Sequence, residues 1–275
     1  MRKIRHVALA LFLIYLAAFP GSAAVVALDR VPRWGGWMGG ALLILQGAAA
    51  LFWLLGYYGR RGALAALSVF LLAWGVEHLG VVTGFPFGRY TYTEALQPQF
   101  FGIVPLPIAC AWLMVATGAW QLATIVSQAR LTRALLTATL VLLLDLQIET
   151  MATRIHAYWV WHDSGWYYGV PLANFVAWWL VGLFMALLLA QLLPSRGPLA
   201  VRVETPRGLA GAAGIPAWLY LLSTLMFTLV NMMRGYPLAG LVGLVMLLSA
   251  GLWALLQLNL NMPFPASQRD AREAE

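Results

Sequence analysis

The run ALLTATLVLLLDLQIETMAT, residues 134–153, decides the fold. It has the length of about 20 residues that an α-helix needs to cross a hydrocarbon core, yet its second half carries Asp145 and Glu149. A charged residue at mid-bilayer costs about 2.5–3.5 kcal/mol on insertion scales, so acids kept there face a bundle interior and mark function. Asp145 and Glu149 are spaced i, i+4 and share one helical face, with Gln147 adding polarity to the face beside it.

The remainder of the chain has the same character. Of its 275 residues, 62% are hydrophobic and 10% charged, and the mean hydropathy of +0.79 excludes an ordinary soluble domain. Apolar runs of spanning length recur at 7–28, 35–57, 63–84, 103–127, 134–153, 170–193, 212–231 and 237–257. They predict an all-α, polytopic transmembrane bundle of about eight helices. One transmembrane domain over 1–262 is expected, with the Pro-containing polar stretch 194–208 as a linker and 263–275 as a disordered cytoplasmic tail. The first run follows Arg2, Lys3 and Arg5 and passes through Pro20-Gly21-Ser22-Ala23-Ala24, as a cleaved signal peptide does. Its continuation to Leu28 favours a retained helix.

The formal net charge of +7 reads as a topology signal rather than as affinity for nucleic acid. Twelve of the 17 Lys and Arg fall on one side of an eight-span chain, against Arg30, Arg33, Arg89, Arg154 and Arg234 on the other. The positive-inside rule therefore predicts a multi-pass protein of the cell membrane with both termini in the cytoplasm, N-in/C-in. The single cysteine, Cys110, allows neither an intramolecular disulfide nor a thiolate metal cage. Four histidines, none at HxxxH or HxxHH spacing, argue against the membrane di-iron hydroxylases and desaturases. No metal and no cofactor are expected, although a mixed Glu77, His78, Asp145 and Glu149 cluster around one divalent ion stays open.

Glu77 in the third run is the third buried acid. Because the third and fifth runs cross in the same direction, Glu77, Asp145 and Glu149 are expected at one depth, near the non-cytoplasmic side. Above them lie two aromatic loops, FPFGRYTYTEALQPQFFG (85–102) and RIHAYWVWHDSGWYYG (154–169). Aromatics at a membrane interface are ordinarily anchors, but the density here exceeds a belt. A lone acid could snorkel or pair with Arg89 or Arg154, whereas three at one depth point to a site. His156 and His162 read as interfacial, and His78 as a hydrogen-bonded packing residue. A faint internal echo joins VPLPIACAW (104–112) to VPLANFVAW (170–178), identical at five of nine positions.

Two carboxyl groups in a dry pocket cannot both ionise comfortably, so one is expected to hold a proton and act as general acid beside an ionised general base. Aromatic faces, drawn from Trp74, Phe85, Phe87, Tyr90, Tyr92, Trp159, Trp161, Trp166, Tyr167 and Tyr168, would stabilise a developing cation without attacking it. Acid, base and aromatic lining suit protonation of an unactivated alkene and capture of the carbocation by water.

The runs EHLGVVTGFPFGRYTY (77–92), FGIVPLPIACAW (101–112) and WVWHDSGWYYGVPLANFVAWW (159–179) resemble the membrane-bound carotenoid hydratases of the CruF type, relatives of the archaeal bisanhydrobacterioruberin hydratases. The resemblance covers about residues 70–180, the hydratase-like core. It rests on Glu77, Thr83, Gly84, Pro86, Phe87, Gly88, Tyr90 and Tyr92 in the first block and Gly169, Pro171, Asn174 and Phe175 in the second. It implies a cofactor-independent hydro-lyase that draws a carotenoid from the bilayer and adds water to the C1',2' double bond of an acyclic ψ-end, as in γ-carotene or lycopene. Glu77, Asp145 and Glu149 are the expected catalytic residues, with Phe87, Tyr90, Tyr92, Trp161, Asp163, Tyr168 and Asn174 contacting substrate or water. The family pattern carries a proline after the second acid where this chain has Thr150, a departure that bears on helix shape around Glu149. A non-catalytic carotenoid or lipid carrier and a membrane lycopene cyclase-like isomerase are the competing expectations, with an ion-coupled transporter least favoured. The oligomeric state is left open.

Overall fold

A computed structural model describes residues 1–194 and 211–260. The expected tail at 263–275 and most of the 194–208 linker lie outside the described residues. Eight helices carry the fold: α1 Arg2–Ala27, α2 Met38–Tyr58, α3 Arg60–Thr83, α4 Leu106–Val126, α5 Arg130–Thr150, α6 Leu172–Leu192, α7 Ile215–Met233 and α8 Pro237–Leu260. All eight are long and apolar enough to span a membrane. Helices α1, α3 and α5 begin at charged ends that the apolar runs leave out, so Arg60, Arg61, Arg130 and Arg133 are helical.

Helix α4 is the centre of the bundle. Its most apolar window is 78% buried, against 22% for α1 and 17% for α8, which lie at the periphery. It packs on α2, α3, α5 and α7, while α6 closes against α5 and α8 against α7. Some of the polar side chains inside the apolar bundle pair across helices. Thr150 donates to Asn231 Oδ1, and Asn231 Nδ2 donates to the Gln147 carbonyl at 3.0 Å, which ties α5 to α7. Burying such amides is tolerated because their donors and acceptors are matched.

Four short strands occupy the connections: β1 Tyr90–Tyr92, β2 Gln99–Phe100, β3 Val104–Pro105 and β4 Trp159–Trp161. Strands β1 and β4 come from different loops and pair antiparallel, with Tyr90 opposite Trp161 and Tyr92 opposite Trp159. This ribbon crosses the same end of the bundle that both aromatic loops occupy. The helix end before it is shaped by glycine. Gly84 ends α3 at φ +80°, where a side chain would be strained, and its N–H closes on the Gly80 carbonyl at 2.7 Å. A Cβ on Gly80 would meet Phe87 at 2.7 Å and the Tyr90 hydroxyl at 2.9 Å, so that glycine leaves the space the loop fills.

The sequence echo is a structural repeat. Pro105 and Pro171 hold the same extended conformation immediately before α4 and α6, because each blocks helix on its N-terminal side and permits it afterwards. The echoed blocks end at Trp112 and Trp178, whose rings stack at 3.8 Å with an 18° tilt. Units α3-β1-α4 and α5-β4-α6 are thus arranged with their acids, strands and tryptophans in matching order. After Glu149, α5 runs through Thr150 into a widened π turn, Met151–Ile155, with His156 N–H reaching the Met151 carbonyl at 3.0 Å. Single π turns of this kind are frequent at functional sites.

Candidate active site

The ribbon holds both glutamates by the same device. Alternate residues of a strand share a face, so Tyr90 and Tyr92 point inward while Thr91 is exposed, and Trp159 and Trp161 point inward while Val160 is exposed. Both phenols donate to Glu77 Oε2, at 2.6 Å from Tyr90 and 2.7 Å from Tyr92. Both indoles donate to Glu149 Oε2, at 3.3 Å from Trp159 and 2.9 Å from Trp161. The third donor to each carboxylate comes from the helix that follows its strand. Trp112 Nε1 reaches Glu77 Oε1 at 2.8 Å, and Asn174 Nδ2 reaches Glu149 Oε1 at 3.1 Å.

The three acids are deeply enclosed: Glu77 is 4% exposed, Glu149 1% and Asp145 0%. Asn174 Nδ2 also donates to Asp145 Oδ2 at 3.0 Å, so a single amide bridges the two carboxylates of α5. Asp145 Oδ1 has no hydrogen-bond partner. Among the described residues no Lys or Arg forms an ion pair with any of the three, and both ion pairs found there lie elsewhere. No group of three His, Cys, Asp or Glu that could hold a metal ion occurs among the described residues.

Glu77 and Glu149 face one cavity of about 1050 Å³ including its mouth. The walls are largely apolar, from Leu42 and Leu43 on α2, Ile108, Met114 and Val115 on α4, and Met226 and Phe227 on α7. Its polar side chains are the two glutamates and their donors, with Gln46, Ser223, Tyr15 and Tyr158. Burial, reinforced by the Glu77 charge, pushes the Tyr90 and Tyr92 phenols well above their ordinary value, so both remain hydrogen-bond donors.

Of the ten residues expected from sequence, seven line this cavity: Glu77, Phe87, Tyr90, Tyr92, Glu149, Trp161 and Asn174. Asp145 stands directly behind Asn174. Asp163 lies at the ribbon's outer edge, where its Oδ1 accepts from Arg89 Nε at 2.9 Å and Nη2 at 2.8 Å and its Oδ2 from the Arg89 N–H at 2.7 Å. The Arg89 guanidinium holds the Asp163 carboxyl below the usual carboxylate range. Tyr168 packs edge-on against Tyr236 and accepts the Leu238 N–H, which anchors the loop to α8. Phe85 and Trp166 are 70% and 77% exposed and serve as interfacial aromatics. His162 bonds to Thr91 and His156 stacks on Tyr158. His78 packs against Trp74 at a ring tilt of 32°, but its buried Nδ1 makes no hydrogen bond, unlike the hydrogen-bonded packing residue expected.

Trp112 and Trp178 were not among the aromatics singled out from the loops. Their signal was present in the echo, which ends on them, but tryptophan in a span reads as packing until a partner carboxylate is located.

Eight apolar helices enclosing a cavity with two glutamates under an aromatic ribbon define a membrane protein with buried carboxylates on a largely apolar cavity. The chain belongs to the carotenoid biosynthesis protein family, whose profile matches residues 38–250. Over 133 residues it is 32% identical to a bisanhydrobacterioruberin hydratase from Haloarcula japonica, an alignment covering 47% of this chain and 45% of that protein. The chain thus spans about half the length of the curated relative it matches. No solved structure matches.

Proposed function

We propose that this protein is a carotenoid hydratase that adds water across the terminal C1',2' double bond of an acyclic ψ-end, as in γ-carotene or lycopene. The observation that carries the reading is that Glu77 of α3 and Glu149 of α5 line one largely apolar cavity, each held by donors from a different strand of the same ribbon. Family membership and the name of the Haloarcula relative support the substrate class.

In this mechanism the Asp145–Glu149 pair shares one proton, which relieves repulsion between two carboxylates bridged by the Asn174 amide. Glu149, the member on the cavity wall, gives that proton to C2'. The π electrons of the alkene form the new C–H bond and leave a tertiary cation at C1'. The faces of Trp112, Trp161, Tyr90 and Tyr92 stabilise the cation without forming a bond to it. Water held by Glu77 attacks C1', and Glu77 takes the proton that the water loses. Three donors fix the Glu77 carboxylate, leaving one acceptor site for the water. Return of the proton from Glu77 to Glu149 restores the starting state, so the reaction consumes only alkene and water.

The same reading puts both termini in the cytoplasm and the ribbon at the outer face of the cell membrane, supported by the arginine distribution. Expression in a lycopene- or γ-carotene-producing host, followed by mass analysis of the pigments, tests the activity. A hydratase yields pigment heavier by one water. Unchanged pigment would mean a carrier, and an altered spectrum at unchanged mass would mean a cyclase.

A further inference from the structure

Three polar side chains on the cavity wall have no part in holding the glutamates. Tyr15 comes from α1, Gln46 from α2 and Ser223 from α7, and they are 1%, 5% and 2% exposed. Each lies well inside its helix, so its surroundings are the bundle interior and not the membrane interface. Apart from Tyr158, and Trp178 stacked on Trp112, the other polar side chains of the wall are the two glutamates and their donors.

The hydrogen bonds of this cluster do not close. Ser223 Oγ donates to Gln46 Oε1 at 3.3 Å, which uses the amide oxygen and leaves the N–H groups of Gln46 Nε2 without an acceptor among the described residues. The Tyr15 hydroxyl stands beside Ser223, buried and with no hydrogen-bond partner. The cluster is therefore short of an acceptor, and a hydrocarbon substrate brings none. Buried polar groups left in this way cost free energy that a bound water recovers.

Room and position both suit water. About 120 Å³ of the cavity is wide enough for water, against the roughly 10–15 Å³ that one molecule needs. Gly47, next to Gln46, is pressed against α4, where a Cβ would come within 2.6 Å of Cys110. Cys110 lies two residues before Trp112, the indole that donates to Glu77. The cluster thus opens on the cavity near the depth of that donor.

We propose that Tyr15, Gln46 and Ser223 hold a water molecule in the cavity wall and that, resting on the hydratase reading above, this water refills the Glu77 site after each turnover. It accepts from the Gln46 amide and the Tyr15 hydroxyl and donates to Ser223 Oγ, the usual number of hydrogen bonds for a buried water. A carotenoid end entering the cavity displaces water that is loosely held and leaves the one fixed by hydrogen bonds.

Crystals of the full-length protein grown in lipidic mesophase, at a resolution that shows ordered water, test the site directly. Density for water within hydrogen-bond distance of Gln46 Nε2 and Ser223 Oγ is expected in the wild type and is lost in Q46L. No density in the wild type, or a lipid or carotenoid atom at that place, overturns the proposal. Supply is tested by turnover of lycopene or γ-carotene in nanodiscs at varied carotenoid concentration, for the wild type, Y15F, Q46L and S223A. Q46L is expected to lower kcat about tenfold with KM for the carotenoid unchanged and thermal unfolding close to the wild type, because only delivery of water is lost. Y15F and S223A each remove a single hydroxyl and should fall between, which keeps the test decisive should Q46L fail to fold. A raised KM at unchanged kcat would make the cluster a substrate contact and overturn the supply role, as would wild-type kcat in all three variants. A wild type that hydrates no carotenoid overturns the hydratase reading and the supply role with it, while the density still decides whether the cluster binds water.

Discussion

Tyr90 stands directly opposite Trp161 in the β1–β4 ribbon, with ring centroids 5.0 Å apart, and each donates to a different glutamate. One cross-strand pair therefore fixes the distance between the two carboxylates. Tyr92 and Trp159 repeat the arrangement one step along, at 5.9 Å. Anything that moves the ribbon moves both acids' donors together.

Removing the carboxylates themselves should have the largest effect. E77Q and E149Q are each expected to lower hydration by about 10²–10⁴-fold, the usual share of general acid–base catalysis. D145N should cost less, since Asp145 acts through Asn174 rather than on the cavity wall. Quantifying hydrated pigment by chromatography, normalised to protein level, checks the order; full activity in E77Q and E149Q would sink the acid–base scheme.

The tyrosine pair can be separated from the fold. Y90F and Y92F preserve the rings, and each removes one donor to Glu77, an interaction of about 1.5–3 kcal/mol for a charged acceptor. Each is expected to slow turnover by about tenfold or more with little change in thermal stability, and the double variant should be slower than either.

At Trp112 packing and hydrogen bonding can be dissected. W112F keeps a ring against Trp178 and loses the Nε1–H to Glu77, whereas W112A loses both. Thermal unfolding in detergent should show W112A destabilised by about 3–5 kcal/mol. W112F should be destabilised much less, while its activity falls nearly as far.

Acid should release the ribbon's outer edge. Asp163 is held below the ordinary carboxylate pKa by the Arg89 guanidinium, so the clip is fully formed above the usual value of about 3.9. Its contribution is lost as pH falls through the lower folded-state value. At neutral pH, D163N mimics the lost charge and should speed amide exchange at Arg89 and His162, the residues joined at 2.8 Å beside the clip. Unchanged exchange in D163N would show that the edge is held by other contacts.

Helix number and span positions were legible in the chain because apolar length alone sets them. The three acids were legible for the same reason: in a hydrocarbon-length run a carboxylate stands out. Pairing of residues 90–92 with 159–161 was not legible, because three-residue strands carry too little pattern to declare a partner some 70 residues away. Asp163 and Asn174 illustrate the difference. Both are polar residues near an aromatic loop, yet Asn174 faces the cavity from the first turn of α6 while Asp163 is drawn outward by Arg89. Side-chain direction separates them, and direction follows from which strand pairs with which.

By itself, then, the sequence determined a bundle of membrane-spanning helices, three acids within it, two aromatic loops and a faint repeat, since each is a matter of local composition and spacing. Only the tertiary structure decided that Tyr and Trp from separate loops grip the two glutamates from one ribbon, that Trp112 and Trp178 stack between the repeats, and that Arg133 is buried against Trp120. The physical reason is that these are relationships between residues remote in sequence, settled when buried hydrogen-bonding groups must find partners among whatever the packed helices bring near.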